Sequence, residues 1–510
     1  MPLLFGYDPV RDLPPDHLAR FVEAVVEEAV SAAPATPNER GQPAYDPRLL
    51  AKILTYGYAT GVRSSRQLER MCKESLPYLF LTRGEAPSYR TLCNFRVEHE
   101  DVLELVWSGL FTWAGRAGMN RLGRIAIDSS KFRADTSSDA VVKASDFSWI
   151  RGVLERILEE AKAADAHDEQ EPPGQTQTGQ SVDSLVRLQM RDILRQVKKE
   201  RRETKETGET TETPTPPLGP RMVPRIQAAI DAIDDAEAEG RKHACLTDPD
   251  ARMMSGGRDK TIRERHSFEV AVDSEDGLLV AAQVTNIGTD NSRLLPLVEA
   301  AKEQEPDRVV AVDADSGYYS GEGVASLIQR GIDTCIPDSN TACDLHRGHP
   351  IGTTQDKARG RIPFTYDGET DCYTCPQGNR LQREGPMKHH GQTVKVYRAV
   401  GDCTDCPLKS VCLTQPKARY RTLKVSVKHK ELEAARKRFA ETAHVERYSH
   451  RSDVVESVFG FLRGVLGFHR WSLRGSDRVS CEASLFKLAY QIRKVHIRWR
   501  QSVPPVPKCV

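Results

Sequence analysis

Two runs of small apolar residues in this sequence lead into carboxylates. The run RIAI precedes Asp128, and the run VVAV precedes Asp313 and Asp315, with Gly317 close behind. Such runs are typical of buried strands, and a buried carboxylate is unfavourable unless a cation or hydrogen-bond donors pair with it. Asp and Gly are also ordinary turn residues at the end of a strand. Partners elsewhere in the chain must therefore decide whether these acids hold a metal or only begin a turn.

A third acid, Glu456, lies in the apolar stretch VVESVFGFLRGVLGF, whose spacing is typical of a largely buried helix. Arg463 is seven residues further on and projects within about 20° of Glu456. One interpretation is a structural Glu–Arg ion pair. The other is a site where Asp128, Asp315 and Glu456 converge, because acidic oxygens from separate elements hold the two Mg²⁺ of phosphoryl-transfer sites. No local motif links acids that are so far apart in the chain.

Five cysteines follow one another at short spacings: Cys372-x-x-Cys375, Cys403-x-x-Cys406, and then Cys412. Paired short spacings of this kind are typical of tetrahedral zinc sites with thiolate ligands. Unliganded buried thiols are the alternative. The chain has 12 cysteines and no export signal that we recognise, so reduced thiols or metal ligands are favoured over disulfides.

The composition predicts about three or four domains for a chain of 510 residues. No apolar run is long enough for a membrane span, and the N-terminus lacks the pattern of a signal peptide. The whole chain is balanced, with 73 basic and 72 acidic residues, but residues 417–500 hold 20 Lys and Arg against 8 Asp and Glu. This basic block suits a polyanionic partner, although solvated helix faces also collect such residues.

Changes in periodicity and composition divide the chain into segments. A hairpin in SFEVAVDSEDGLLVAAQVTN, followed by strand–helix–strand patterns, predicts an α/β core with a mixed sheet. We expect residues 1–118 to form a helical N-terminal domain, 119–140 and 241–337 the first parts of the core, 141–240 a charged helical insertion with flexible linkers, 338–420 a cysteine-rich insertion, 421–500 the C-terminal part of the core with basic helices, and 501–510 a tail.

The N-terminal segment offers a candidate DNA reader. Ser88 is expected to cap the helix SYRTLCNFRVEHE, which would expose Arg90, Asn94 and Arg96. A short polar third helix of this kind is typical of helix-turn-helix-like domains. A small helical bundle whose charges only face water fits the same spacing.

Several blocks together give a specific resemblance. In chain order they are AYDPRLLAKILTYGYATGVRSSRQLER, IAIDSSKFRA, TDPDARMM, VAAQVTN, DADSGYYS, CTDCPLKSVC and VVESVFGFLRGVLGFHRWSLRG. With these blocks in this order, and over about residues 10–498, the chain resembles bacterial insertion-sequence transposases of the DDE class and is most similar to the IS eleven-eighty-two type.

The resemblance implies an RNase H-like catalytic core in which Asp128, Asp315 and Glu456 form the metal-binding triad. It implies two Mg²⁺ in each active site, which Mn²⁺ can replace. It further implies that the enzyme cleaves double-stranded DNA at the element's terminal inverted repeats and transfers the freed 3′-hydroxyl ends to target DNA. Such an enzyme is expected to act as a homodimer in the synaptic complex, in the bacterial cytoplasm at the nucleoid, without a membrane.

This sequence departs from the family pattern in places. Ser316 stands where the family usually has Ala, and Asp313, two residues before Asp315, is an alternative second acid. Related transposases carry a Tyr, Arg, Glu, Lys signature around the third acid. Here Tyr448 and Arg451 precede Glu456 with one extra residue before the Glu, and Arg463 takes the place of the Lys. We expect these three side chains, Tyr448, Arg451 and Arg463, to serve the DNA phosphates.

The resemblance also narrows the zinc ligands, since the family commonly lacks a counterpart of Cys372. Cys375, Cys403, Cys406 and Cys412 are therefore the expected set for one structural Zn²⁺. Two other functions remain open at this point. One is a catalytically inactive, transposase-derived DNA-binding protein, and the other is an RNase H-like nuclease that cuts without joining strands.

Overall fold

The structure is a computed structural model. It describes residues 8–30, 44–119, 123–168, 182–207, 222–256, 261–304, 309–349, 364–389, 392–413, 415 and 417–502. The expected linkers in the helical insertion fall largely at 169–181 and 208–221, outside the described residues, as does most of the tail at 501–510. No helix in the described ranges is both long and apolar enough to cross a membrane.

The N-terminal segment is helical, as expected. Its helices are α1 (Pro9–Asp12), α2 (Leu18–Ala29), α3 (Pro47–Ala59), α4 (Ser65–Glu74), α5 (Leu76–Thr82), α6 (Tyr89–Glu98) and α7 (Glu100–Arg116). Local sequence explains several boundaries. Asp46 accepts a hydrogen bond from the backbone of Arg48 and so caps α3, and Ser88 accepts one from Thr91 and caps α6. Ser64 begins α4, but without a side-chain capping bond.

A mixed sheet forms the centre of the described chain, which confirms that expectation. Its strands are β1 (Arg124–Arg133), β4 (Arg252–Ser255), β5 (Ile262–Asp273), β6 (Leu279–Thr285), β7 (Ala311–Ala314) and β8 (Asp333–Cys335). The order is β4-β5-β1-β7-β8, and β6 also pairs with β5. The β5–β6 hairpin and the β5–β1 pair are antiparallel, whereas β1–β7 and β7–β8 are parallel. Parallel pairing requires crossover connections, and helices supply them.

Helices of the core cover this sheet. They are α11 (Leu294–Gln304), α12 (Gly321–Gln329), α13 (Ser339–His346), α15 (His429–Phe439), α16 (Thr442–Gly464) and α17 (Ser476–Ser502). Helix α16 packs across β1 and β7, while α17 packs on β6, α3 and α7. Buried aromatic rings, including Phe132, Phe468 and Phe486, stack beneath this layer. The N-terminal helices therefore share one continuous hydrophobic core with the sheet.

The insertion has a core of its own. It comprises β2 (Val141–Lys143), α8 (Phe147–Asp168), α9 (Val182–Thr207), α10 (Val223–Ala238) and β3 (His243–Cys245). Strands β2 and β3 pair antiparallel and close its base. Apolar side chains from the three helices, such as Leu154, Ile193 and Ile226, are buried together. The expectation of helices in this segment is confirmed.

The cysteine-rich segment differs from expectation, because it has regular structure where the sequence offered little periodicity. Its elements are β9 (Thr365–Asp367), β10 (Cys372–Thr374), β11 (Arg380–His389), β12 (Gln392–Ala399), α14 (Lys409–Cys412) and β13 (Thr422–Ser426). The five strands described here form an antiparallel sheet. Tyr373, Leu381, Tyr397 and Ala399 are buried as a small core. Strands β9 and β10 have only three residues each, and most described residues of β11 are exposed, which weakens the apolar signal in the sequence.

Candidate active site

The parallel register of β1 and β7 brings two of the three expected acids together. Ile127 pairs with Ala314 at the end of both strands, so Asp128 and Asp315 are the next residues on neighbouring strands. Adjacent strands lie about 4.8 Å apart. Asp315 leaves the strand, caps a 3₁₀ turn and accepts a hydrogen bond from the Gly317 backbone at 2.8 Å. A Cβ at Gly317 would lie 2.9 Å from Asp315 Oδ1, so a larger residue there would displace the Asp315 carboxylate.

Asp128 lies in an unfavourable electrostatic environment. Burial raises the pKa of its carboxyl to about 6 against the opposing effect of the Arg451 guanidinium, and the neighbouring carboxylates of Asp315 and Asp290 raise it further. The nearest cation, Arg451 Nη1, is 3.6 Å from Asp128 Oδ2. Negative charge at this site is thus only partly compensated by the protein, as is typical of carboxylates arranged to bind a cation.

Asp290 is an acid at this site that the sequence did not reveal. It accepts hydrogen bonds from Ser129 Oγ at 3.1 Å and from Lys131 Nζ at 3.0 Å. A Cβ at Gly317 would lie 3.3 Å from Asp290 Oδ2, so its carboxylate also borders the turn that Asp315 caps. Asp290 lies in the polar stretch GTDNS, which has the composition of any turn. No signal in the sequence distinguishes it from a turn residue.

Asp313, the alternative second acid, is bound by arginines. Its carboxylate is buried and accepts a hydrogen bond from Arg447 Nε at 2.6 Å, and Arg124 lies 3.8 Å away. Arg447 also bonds Asp333 on the neighbouring strand. Burial raises the pKa of Asp313, while Arg447 opposes that shift. This arrangement is a structural ion-pair network, whereas Asp315 stands at the open end of the strand.

Helix α16 supplies most of the polar groups over the strand ends. Arg447 and Arg451 are one turn apart and reach Asp313 and Asp128, which lie on β7 and β1. Tyr448 lies beneath the Arg451 guanidinium, which is 5.2 Å from the centre of its ring. Burial raises the pKa of the Tyr448 hydroxyl, and the charge of Asp315 adds to that shift. Two expected phosphate-binding residues, Tyr448 and Arg451, thus lie at the acids.

Glu456 follows Arg451 on the same helix, before Arg463. Its side chain is exposed, and within the described part of the chain it forms no ion pair with Arg463. Arg463 instead donates to Ser130 Oγ and lies 4.9 Å above the Phe132 ring. Arg451 reaches Asp128 and Arg463 reaches Ser130, so Glu456 lies along the helix between two residues that contact β1.

The described residues contain no group of three or more His, Cys, Asp or Glu side chains arranged to hold a metal ion. The structure brings Asp128 and Asp315 together, and the metal-binding role of these acids with Glu456 stays a prediction, as does the zinc site expected at Cys375, Cys403, Cys406 and Cys412.

The N-terminal candidates divide into exposed and buried residues. Arg90 and Asn94 are exposed on α6, as expected. The expectation that this helix exposes Arg96 is wrong, because Arg96 is buried and its Nη1 donates to the Tyr58 hydroxyl at 3.1 Å. Arg96 shares the buried face of α6 with Phe95, where helical periodicity directs it into the core.

The four preferred cysteines line one cavity. Cys375, Cys403, Cys406 and Cys412 all border a cavity of about 310 Å³. Burial raises the pKa of the Cys412 thiol, the Arg421 guanidinium opposes this, and the other three cysteines raise it further. Cys372 does not line this cavity, and its sulfur contacts Thr370 Oγ1 at 2.9 Å.

Two family models match the chain. The first, described as a transposase DDE domain, matches residues 374–496, which include the four cysteines and Glu456. The second, described as a transposase domain (DUF772), matches residues 9–98. No curated protein sequence matches. The two matches support an insertion-sequence transposase, and the DDE domain implies an enzyme that cleaves and transfers DNA.

Proposed function

We propose that the chain is a DDE-class transposase of the IS eleven-eighty-two type, with an RNase H-like core and Asp128, Asp315 and Glu456 as its catalytic acids. The observation that carries this proposal is the parallel register of β1 and β7, which sets Asp128 beside Asp315. The transposase matches at both ends of the chain agree with it. Domain boundaries follow the segments described above.

The chemistry of the donor set fits a divalent metal. Asp128 has a raised pKa because it is buried beside two other carboxylates, and a cation such as Mg²⁺ or Mn²⁺ would relieve that repulsion. Asp128, Asp315 and Glu456 would hold the metal. Two bound Mg²⁺ supply stabilisation of the attacking and leaving oxygens of an in-line displacement at phosphorus.

The remaining side chains of the site orient the DNA. Arg451 lies against Asp128 and can donate to a non-bridging oxygen of the scissile phosphate, since its planar guanidinium presents several donors. Tyr448 supports Arg451 from below. Arg463, fixed over Phe132 and beside Ser130, can hold a phosphate further along the same strand.

Recognition of the element's ends would involve the N-terminal helices. Arg90 and Asn94 are exposed on α6 and are the candidates for contacts to the terminal repeats. Two chains in a synaptic complex would hold the two ends. The cysteine-lined cavity would hold one structural Zn²⁺ through Cys375, Cys403, Cys406 and Cys412. This Zn²⁺ would link the segments that follow β10 and β12 to α14.

The direct test is cleavage of linear DNA that carries the element's own ends and flanks, in Mg²⁺ and in EDTA. Asp128→Asn, Asp315→Asn and Glu456→Gln should each lower cleavage by at least about a thousandfold, since charge stabilisation at the reacting phosphate is lost. Glu446→Gln is the matched control, because Glu446 is an exposed acid on the same helix. It should retain wild-type cleavage.

The outcomes separate the rival functions. Cleavage followed by joining of 3′-ends to a second DNA supports the proposal. Cleavage without joining indicates a nuclease, and end-specific binding without metal-dependent cleavage indicates an inactive DNA-binding protein. Either of these two results would overturn the proposal.

A further inference from the structure

A large cavity lies away from the acids, between the helical insertion and the end of the central sheet. Its volume is about 780 Å³. Seven arginines from five parts of the chain line it, and they are Arg133 of β1, Arg195 of α9, Arg225 of α10, Arg263 of β5, and Arg470, Arg474 and Arg478 around the start of α17. We refer to this cavity as the arginine cleft.

Acidic side chains neutralise only part of this charge. Arg470 and Arg474 share Asp135, at 3.1 and 2.9 Å, and Arg195 pairs with Asp139 at 3.0 Å. The arginine cleft thus keeps an excess of positive charge.

Three of the seven arginines, Arg133, Arg263 and Arg478, are exposed, and within the described residues none of these three forms an ion pair. Like charges gathered in one concave surface raise its potential and attract a polyanion.

The backbone that carries these arginines is fixed by buried interactions. Asp248 accepts a hydrogen bond from the Gly475 backbone at 3.1 Å and contacts His266 Nε2 at 3.0 Å, and both side chains are fully buried. Asp250 accepts one from Ser476 at 2.7 Å. These bonds hold the start of α17, and with it Arg478. The arginine cleft is therefore preformed, which lowers the entropic cost of binding a partner.

The distance along β1 from Asp128 to the arginine cleft indicates how a DNA duplex could reach both. Arg133 follows Asp128 by five residues on β1, which corresponds to about 17 Å along a strand. That length equals about five base pairs of duplex DNA at 3.4 Å each. Arg463, beside Ser130, lies between the two along β1. The arginine cleft thus begins where β1 ends, with Arg133 on the face of the strand opposite to Asp128 and Ser130.

We propose that the arginine cleft binds the phosphate backbone of duplex DNA about five base pairs from the scissile phosphate, and that the helical insertion forms one wall of that DNA site. This inference rests on the proposed function, because the duplex it binds is the one whose phosphate lies at Asp128. It assigns a role to residues 141–240 that their sequence does not reveal.

The test uses the full-length protein and a mixed-sequence duplex of about 30 base pairs. This duplex is longer than the stretch of about five base pairs between the acids and the arginine cleft. Binding is measured by fluorescence anisotropy over a range of salt concentrations. The triple variant Arg133→Ala, Arg263→Ala, Arg478→Ala should bind at least about tenfold more weakly at low salt. Its plot of log affinity against log salt should lose about 0.9 from the slope for each contact removed, or about 3 in all.

The control removes the same charge elsewhere. Arg11→Ala, Arg116→Ala, Arg330→Ala deletes three surface arginines that pair with acids outside the arginine cleft, and it should keep the wild-type slope. Lysine at the three cleft positions should restore most of the binding, because phosphate contacts need charge. If the triple alanine variant does not fold, Arg478→Ala alone should lower the slope by about 1.

Each outcome has one meaning. A wild-type protein that binds no duplex overturns the proposed function, and the inference with it. Wild-type binding with an unchanged slope in the cleft variants overturns the inference alone. Binding of inorganic tripolyphosphate that the cleft variant loses, while its duplex binding stays unchanged, shows a small-polyanion site and also overturns it.

Discussion

Replacing Arg447 with methionine tests whether Asp313 is structural. Arg447 donates to Asp313 at 2.6 Å, and the side chains are only 12% and 2% exposed. Without Arg447, Asp313 is left buried with Arg124 alone, at 3.8 Å. The buried carboxylate should then take up a proton. For a carboxyl of ordinary pKa, protonation at pH 7 costs about 4 kcal/mol, because each unit between the pKa and the pH adds about 1.4 kcal/mol. This cost is the upper limit of the loss in the free energy of unfolding.

We expect a loss of about 3 kcal/mol in the free energy of unfolding at pH 7, because burial already raises the pKa of Asp313 in the wild type. The sign of the pH dependence follows from proton binding. Above the wild-type pKa of Asp313 the variant keeps a proton in its folded state that the wild type releases. The loss should therefore grow as pH rises and shrink as pH falls.

The assay is urea denaturation at pH 5 and pH 7, followed by tryptophan emission, since Trp471 is buried in the shared core. Arg438→Met is the control, because Arg438 pairs with Asp333 at 3.3 Å on the surface and should cost less than about 1 kcal/mol. A loss below about 1 kcal/mol in Arg447→Met, or an equal loss at both pH values, would refute the reasoning. Asp313 would then again be a candidate for the second catalytic acid.

Three further predictions concern other parts of the molecule. Purified protein should contain about one zinc per chain, as expected for a four-cysteine site; Cys403→Ser should lose it and Cys372→Ser should keep it, as measured by elemental analysis. Arg96→Met should lower the free energy of unfolding by about 2 kcal/mol through lost buried contacts and keep the affinity for end DNA. Arg90→Ala should lower the affinity for end DNA and keep the free energy of unfolding. Gly317→Ala should lower DNA cleavage by about a hundredfold, because a Cβ displaces the Asp315 carboxylate, while the melting temperature changes little; wild-type cleavage would contradict this.

The sequence predicted the elements whose signals are local and strong. The apolar runs before Asp128 and Asp315 identified β1 and β7, and the mixed sheet followed from the hairpin and the strand–helix–strand pattern. Because parallel strands place their carboxyl ends at one edge, the pairing of these two acids could be expected once both strands were recognised. The helical segments carried clear caps and periodicity.

The remainder depends on contacts between distant residues, which a single sequence does not display. Asp290 has turn composition and becomes part of the site only through Ser129 and Lys131. Arg96 looked like a surface cation, but it is buried against Tyr58, 38 residues away in the chain. The cysteine-rich segment forms a sheet in which β9 and β10 are too short to show alternation and β11 is mostly exposed.

The most direct test of the central claim locates the metal on the polypeptide. Fe²⁺ can occupy sites of oxygen ligands, and with ascorbate and peroxide it generates radicals that cut the backbone beside the bound ion. In the full-length protein without DNA, cuts should fall near Asp128, Asp315 and Glu456, and excess Mg²⁺ should suppress them. Asp128→Asn should lose all three, while Glu446→Gln should keep them. Cuts that Mg²⁺ suppresses but that lie away from Asp128 and Asp315, or their persistence in Asp128→Asn, would contradict the account.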